Sequence, residues 1–233
     1  MPQGRKPDFK PIPTAADGES QIDRCMERLL GRSIPAQKFR AGQTVLQAGQ
    51  KPRSLAFVHQ GRVMVYHVLD LRRRRLSRVM GPGEWNGVDA LADAPFGGSE
   101  LIAAENSVVS IIPAAVVLES IRRDQTSAVG LVQALARRAT VAEHDAALAT
   151  FADCRARLIR ALQTFSGSAA AEPQDDGIRL HLTHSHLAEA IGSARETVSL
   201  ILSELRRAGV VRTGRNFLIV DLELLRQQVP QYA

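Results

Sequence analysis

Residues 182–209 read LTHSHLAEAIGSARETVSLILSELRRAG, and two short helices joined by a tight turn are legible in that string. Thr183 offers an N-cap hydroxyl, and Leu187 and Ile191 follow on one face of the helix it would start. Gly192 permits the sharp turn that ends it. Ser193 is placed to cap a second helix, with Glu196 three residues on completing a capping box. Along that helix Val198, Ile201, Leu202 and Leu205 form the buried stripe. Two short helices with a glycine turn are the helix-turn-helix pattern. Its second helix lies in the DNA major groove with its N-terminal residues toward the base edges.

The exposed residues near that N-terminus are Arg195, Glu196, Ser199 and Leu200. Arginine can donate twice to guanine, and glutamate can accept from the cytosine amino group. Glu196 can equally serve only as a cap, and Arg195 only as a solvated charge; their adjacency at the start of the helix favours base readout. Thr183 and His184, at the start of the first helix, are candidates for phosphate contact. After Gly209 the sequence VVRTGRNFLIV places two apolar runs around Thr213-Gly214-Arg215-Asn216, a hairpin with a tight turn. This is a wing, from which Arg212 and Arg215 reach phosphates. A short helix, Leu222–Gln228, closes the chain.

Working back toward the N-terminus, residues 166–177, SGSAAAEPQDDG, have the composition of a loop. A helix over about Asp153–Thr164 carries Leu158, Ile159 and Leu162 on one face. Residues 114–165 are helical throughout, and within them Val132, Leu135, Ala139, Ala142, Ala146 and Ala149 follow a 3-4-3-4-3 spacing. That narrow stripe is a coiled-coil seam, with small residues for close approach. The plainer alternative is an amphipathic helix lying on its own domain; length and stripe width favour a dimer helix. Residues 38–113 are β-structure. Val63, Val65, His67 and Leu69 alternate with Arg62, Met64, Tyr66 and Val68, and glycines punctuate the region at turn spacing. Arg72–Arg75 reads as a solvated hairpin tip or, failing that, a phosphate contact. Short strands at this spacing suggest a jelly roll.

The expected architecture is α+β. A disordered tail over 1–19, with four prolines, leads through a short helix near Ile22–Leu30 into a β-roll, the whole unit spanning 20–124. A dimerisation helix over 125–150 and a winged helix-turn-helix domain over 151–233 complete it. The 233 residues carry a net charge of +6, nearly all of it from arginine, which suits nucleic acid first and an anionic membrane second. Aromatic residues are only 4%, so the cores are aliphatic. The two cysteines, Cys25 and Cys154, read as reduced cytosolic thiols rather than a disulfide framework. No apolar run approaches the roughly 20 residues of a membrane span, and no signal-peptide core is present, so the expected location is the cytoplasm. No nucleophile–base pairing, metal-ligand spacing or phosphate-binding glycine loop points to an enzyme, a metal or a cofactor.

The order β-roll, long helix, helix-turn-helix, with SARETVSLILSELRRAGVV in the last, resembles the bacterial CRP/FNR family of transcription factors over roughly residues 25–225. VLQAG at 45–49 and HQGRV at 59–63 support the resemblance. It implies a cyclic-nucleotide-binding-like β-roll and a homodimer on an inverted-repeat operator with a G·C-containing half-site core. It also implies a contact with RNA polymerase. Arg195, Glu196, Ser199 and Leu200 fall where the family reads bases, although Leu200 departs from the arginine common there. The family's cyclic-nucleotide cassette corresponds to GEWNGVDALADAPFGGS at 83–99. Gly87 and Ser99 match, but Val88 stands where the ribose-binding glutamate belongs and Gly98 where the phosphate-binding arginine belongs. Ala142 and Glu143 replace the purine-contacting hydroxyls. The resemblance therefore implies DNA binding without cyclic AMP. A sensor of the same fold, switched by another small molecule or at Cys154, is the alternative. Iron–sulfur sensing needs four thiolates, and the chain has two.

Overall fold

The computed structural model describes residues 35–70, 73–93 and 97–228. The tail, the helix near Ile22–Leu30 and Cys25 lie outside the described residues. Eight strands come first: β1 (Ala36–Phe39), β2 (Thr44–Leu46), β3 (Ser54–Gln60), β4 (Val63–Val68), β5 (Arg74–Met80), β6 (Trp85–Asn86), β7 (Ser99–Ala103) and β8 (Ser107–Pro113). They form two four-stranded antiparallel sheets, β1-β8-β3-β6 and β2-β7-β4-β5. Val58, Val63, Val65, Met80, Leu101 and Val109 make an aliphatic core of this β-roll.

The helices are α1 (Ala114–Arg123), α2 (Gln125–Phe151) and α3 (Cys154–Ser166). Asp124 has an extended backbone that ends α1, and its carboxylate accepts from the Thr126 amide in the first turn of α2. Asp153 does the same between α2 and α3, accepting from the Ala156 amide at 2.8 Å. At 1.5 Å per residue, α2 runs about 40 Å. Its residue Leu131 enters a core with Leu55, Phe57, Trp85, Ile112 and Val117, which seats the start of the helix on the β-roll.

The C-terminal part contains β9 (Glu172–Gln174), β10 (Gly177–Leu180), α4 (His184–Ile191), α5 (Arg195–Arg207), β11 (Val211–Gly214), β12 (Phe217–Val220) and α6 (Leu222–Gln227). Its sheet has the order β11-β12-β10-β9. The stretch 166–177 is thus not a simple loop: its second half forms β9 and the turn into β10. A three-residue strand containing Pro173 has too few residues for an alternation to show, and proline fits there because β9 is an edge.

Strand β4 explains how the two parts join. Val63 and Val65 point into the β-roll core, whereas Met64 and Tyr66 belong to a second core with Leu76, Val79 and the helices α3, α4 and α5. The alternation expected for β4 is present, but both faces are covered over Val63–Tyr66. At the hairpin tip Leu69 is exposed. Ion pairs ring the junction. Arg74 lies over the Tyr66 ring, 4.2 Å from its centroid, and pairs with Glu189 of α4 at 3.2 Å. Arg75 donates to the Ala190 carbonyl at 3.0 Å. Arg62 binds Glu105 at 2.5 Å and Glu172 of β9 at 2.9 Å. Arg74 and Arg75 stay exposed, but they belong to a strand rather than to the hairpin tip and have partners on α4. They sit in β5 and hold α4 against the β-roll; burial, with Glu189 adding to it and the Arg74 charge opposing it, pushes the Tyr66 hydroxyl up to about 12.

Candidate nucleic-acid interface

Helix α4 starts at a reciprocal cap. The Thr183 hydroxyl accepts from the His186 amide at 3.2 Å, and the Thr183 amide donates to His186 Nδ1 at 3.3 Å. Gly192 ends the helix in the left-handed region, φ 62°. The second helix departs from expectation at its start. Ala194, not Ser193, is the N-cap of α5, and it makes no side-chain cap bond, so the box expected from Ser193 and Glu196 does not form. Ser193 is one residue too early to reach it; its Oγ lies 3.6 Å from Cys154 Sγ instead. Glu196 is thereby released from the capping role and stands exposed.

Val198, Ile201, Leu202 and Leu205 of α5 are buried against Leu187 and Ile191 of α4 and Leu158, Ile159 and Leu162 of α3. That packing turns the opposite face of α5 outward. Arg195 and Glu196 are exposed there, and Leu200 is 68% exposed. Ser199 differs from the other three. It is half-buried, donating its hydroxyl to the Arg195 carbonyl at 2.9 Å and lying 2.8 Å from His184 Nδ1. His184 and Ser199 are 15 residues apart in sequence, and neither apolar periodicity nor capping rules relate them.

The wing is the hairpin β11–β12, with Thr213 opposite Leu218 and Gly214 opposite Phe217. Asn216 adopts φ 66°, a left-handed geometry asparagine tolerates, in the tight turn. Arg215 is exposed at this tip. Arg212 is placed otherwise: its guanidinium pairs with the Asp176 carboxylate and donates to the Asp176 carbonyl at 3.3 Å. A phosphate at Arg212 would compete with that acid. The cavity beside it, ≈490 Å³, is lined by Asp175, Asp176, Asp221 and Glu223, an environment that repels phosphate.

The seam residues lie along α2. Val132 is 65% and Leu135 36% exposed, and Ala139, Ala142 and Ala146 are exposed as well. Leu131, one residue from Val132 and about 100° round the helix, is 8% exposed in the β-roll core. The helix therefore has one face against its own β-roll and an apolar stripe directed away from it. Further along, Arg138 lies over the Trp85 ring at 4.4 Å and donates to the Trp85 carbonyl at 3.3 Å, which ties α2 to β6 at the start of the cassette.

In the cassette Gly87 has φ 112°, and a Cβ there would lie 2.7 Å from the Ser54 carbonyl, so the position requires glycine. The turn Val88–Ala90 follows, with Val88 packed on the core that contains Leu55 and Trp85. At Gly98 a Cβ would meet nothing within 4 Å. Ser99 begins β7, opposite His67. The cavity beside Gly87, Asp89 and Ser99 is ≈150 Å³, smaller than the roughly 300 Å³ at which small-molecule pockets begin.

Residues 36–124 match the model of the cyclic nucleotide-binding domain, and residues 156–228 that of the Crp-like helix-turn-helix domain. The cyclic AMP receptor protein of Thermus thermophilus is 30% identical over 173 residues, which span 74% of this chain and 77% of that protein. The transcriptional regulator LdrP of the same organism is 28% identical over 193 residues, 82% of this chain and 95% of LdrP. The crystal structure of a CRP-family transcriptional regulator, also from Thermus thermophilus, superposes with a TM-score of 0.66 at 25% identity. That match covers 83% of this chain and 96% of the other.

Proposed function

The chain belongs to the CRP/FNR family of DNA-binding transcription regulators, and from that premise we propose that it acts in the cytoplasm as a homodimer on an inverted-repeat operator, without cyclic AMP, and engages RNA polymerase there. The observation that carries the DNA-reading role is the outward face of α5. Its first turn presents Arg195 and Glu196, and Leu200 follows, while the other face is locked into the core. Arg195 donates to a guanine and Glu196 accepts from a cytosine amino group. Leu200 packs on a thymine methyl. Arg215, Thr183 and His184 contact phosphate; Arg212 joins them only by leaving Asp176. The apolar stripe Val132, Leu135, Ala139, Ala142 and Ala146 supplies the seam between two copies of α2.

Independence from cyclic AMP is supported by the cassette. A desolvated cyclic phosphate needs a paired cation, and Gly98 offers none. Val88 cannot accept from a ribose hydroxyl. Of the cations that line the small cavity beside Gly87, Lys51 and Arg53, the first is already paired with Asp93 at 2.6 Å. The test is selection of duplexes from a random pool by the purified, ligand-free protein, followed by titration. Enrichment of an inverted repeat bound as a dimer is the expected result. Recovery of no preferred sequence would overturn the reading.

A second reading, a switch at Cys154, rests on the contacts of that thiol. Besides Ser193 in the helix-turn-helix turn, Cys154 Sγ accepts from Arg157 Nη2 at 3.3 Å, and Arg157 Nε donates to the Ile191 carbonyl at 3.1 Å. Oxidation of the sulfur would disturb the turn between α4 and α5. Under that reading peroxide changes operator affinity in the wild type and not in Cys154→Ser.

A further inference from the structure

The hydrogen bonds of Ser199 bias the tautomer of neutral His184. A serine hydroxyl has one hydrogen. Ser199 Oγ donates it to the Arg195 carbonyl at 2.9 Å. This is the ordinary back-bond of a helical serine to the residue four before it. With the hydroxyl hydrogen on its back-bond, Ser199 Oγ faces His184 Nδ1 at 2.8 Å with lone pairs, which favours the tautomer whose Nδ1 carries a hydrogen and donates. In that tautomer the other ring nitrogen, Nε2, is bare, and it has no partner among the described residues. His186, two residues on, is held in the opposite tautomer, because its Nδ1 accepts from the Thr183 amide.

A phosphate oxygen in DNA is an acceptor, and a bare Nε2 is another. An unconstrained histidine would solve this by moving its proton from Nδ1 to Nε2. Ser199 opposes that move, since it would either set two lone pairs against each other at 2.8 Å or take the hydroxyl off the Arg195 carbonyl to donate to Nδ1. We propose that His184 grips a DNA phosphate only as an imidazolium, so that DNA binding takes up a proton at His184, and that Ser199 acts as the positioning residue that makes it so. The inference rests on the DNA-binding reading given above and reassigns Ser199 from base reading to control of His184.

The surroundings agree with this. The charged group facing His184 is Arg195 of α5, and Ser199 faces it from the same helix. Burial first, and the Arg195 charge second, hold the imidazole below the ordinary histidine range in the free protein. A phosphate placed between the two cations relieves both effects. The sign follows. His184 binds its proton more tightly in the complex, so affinity is fully enhanced below the free-protein value and is lost as pH rises through the value in the complex.

The test is fluorescence anisotropy of a labelled duplex of mixed sequence, about 30 base pairs long, at pH 6.2, 7.0 and 8.0, at constant ionic strength, with circular dichroism reporting the fold at each pH. A phosphate contact needs no particular sequence, so no operator is required. Wild-type affinity should rise on the order of fivefold between pH 8.0 and 6.2, within the tenfold-per-unit ceiling for one proton. His184→Gln should remove that rise. His184→Arg should hold the low-pH affinity throughout. Ser199→Ala should flatten the slope while keeping or improving affinity at pH 8.0, because neutral His184 can then present Nε2–H. Nitrogen-detected NMR of the free protein should show His184 protonated at Nδ1. An unchanged slope in His184→Gln, or a retained slope in Ser199→Ala, overturns the proposal while leaving DNA binding intact. No binding of any duplex at any pH would instead remove the DNA-binding reading itself.

Discussion

Leu131 and Val132 are neighbours in sequence and face different ways, so truncating each should damage a different property. Val→Ala deletes about two methylene equivalents, worth roughly 1.6 kcal/mol when fully buried. Val132 is 65% exposed in the single chain, so about 1 kcal/mol of that belongs to the seam with a second copy. Two-fold symmetry doubles it to about 2 kcal/mol per dimer, some 30-fold in the dimer dissociation constant. Leu131 is 8% exposed within the β-roll core. Leu131→Ala should therefore cost about 2–5 kcal/mol of folding stability and move the dimer constant by less than about threefold. Sedimentation velocity across a dilution series reads the association, and urea denaturation at high protein concentration reads the fold. Val132→Ala leaving dimerisation untouched, or Leu131→Ala weakening it more than Val132→Ala does, would refute the assignment of the two faces. Leu135→Glu, which sets two carboxylates against each other in the seam, should give monomers.

Arg195→Ala should cost about 1–3 kcal/mol on the selected operator and much less on scrambled DNA. Arg215→Ala should weaken both alike and reduce the salt slope, measured at two salt concentrations. Equal loss on both duplexes for Arg195→Ala would make that residue a phosphate clamp. Calorimetry with cyclic AMP should show no site of micromolar affinity in the wild type. His186 is held below the ordinary histidine range by burial, partly offset by Glu189, with Arg74 adding to the depression. The fold thus favours its neutral form, so stability is full above about pH 6.5 and falls as pH drops through that value toward the lower folded one. Urea denaturation at pH 7.5 and 5.5 checks this, and His186→Gln should show a shallower loss.

What the sequence disclosed and what it hid divide by the range of the interaction. Thr183, Gly192 and the stripe Val198–Leu205 act within a turn or two of helix, and the helix-turn-helix was legible from them. The reciprocal cap on α4 was not, because histidine is an unusual partner at the third helical position. Arg74 looked like one of a run of four arginines, since its partner Glu189 lies 115 residues away. The Ser199–His184 bond was hidden for the same reason on a smaller scale. Strand β4 is an intermediate case. Its alternation identified a strand, but alternation with Met64 and Tyr66 on the second face already carried the information that both faces are apolar. Only the fold shows that the second face is where α4 docks.

The cassette sharpens the same distinction. Gly87 resembles its counterparts because the backbone demands it: φ is 112°, and any Cβ would strike the Ser54 carbonyl and the Leu55 backbone. Gly61 is under a similar demand, with φ 85° and the Asn106 carbonyl 2.8 Å from a hypothetical Cβ. These glycines serve the β-roll whether or not a ligand enters it. The positions that only a ligand would need are another matter. Val88 fills core space, and Gly98 has φ outside the left-handed region and open space where a side chain would begin. An arginine would fit at Gly98 without backbone strain, so nothing in the fold forbids a phosphate-binding cation there. The chain keeps the cassette glycine that the backbone requires and lacks the two residues that only a cyclic nucleotide would. A β-roll matching the cyclic nucleotide-binding domain is therefore compatible with a regulator that does not respond to cyclic AMP.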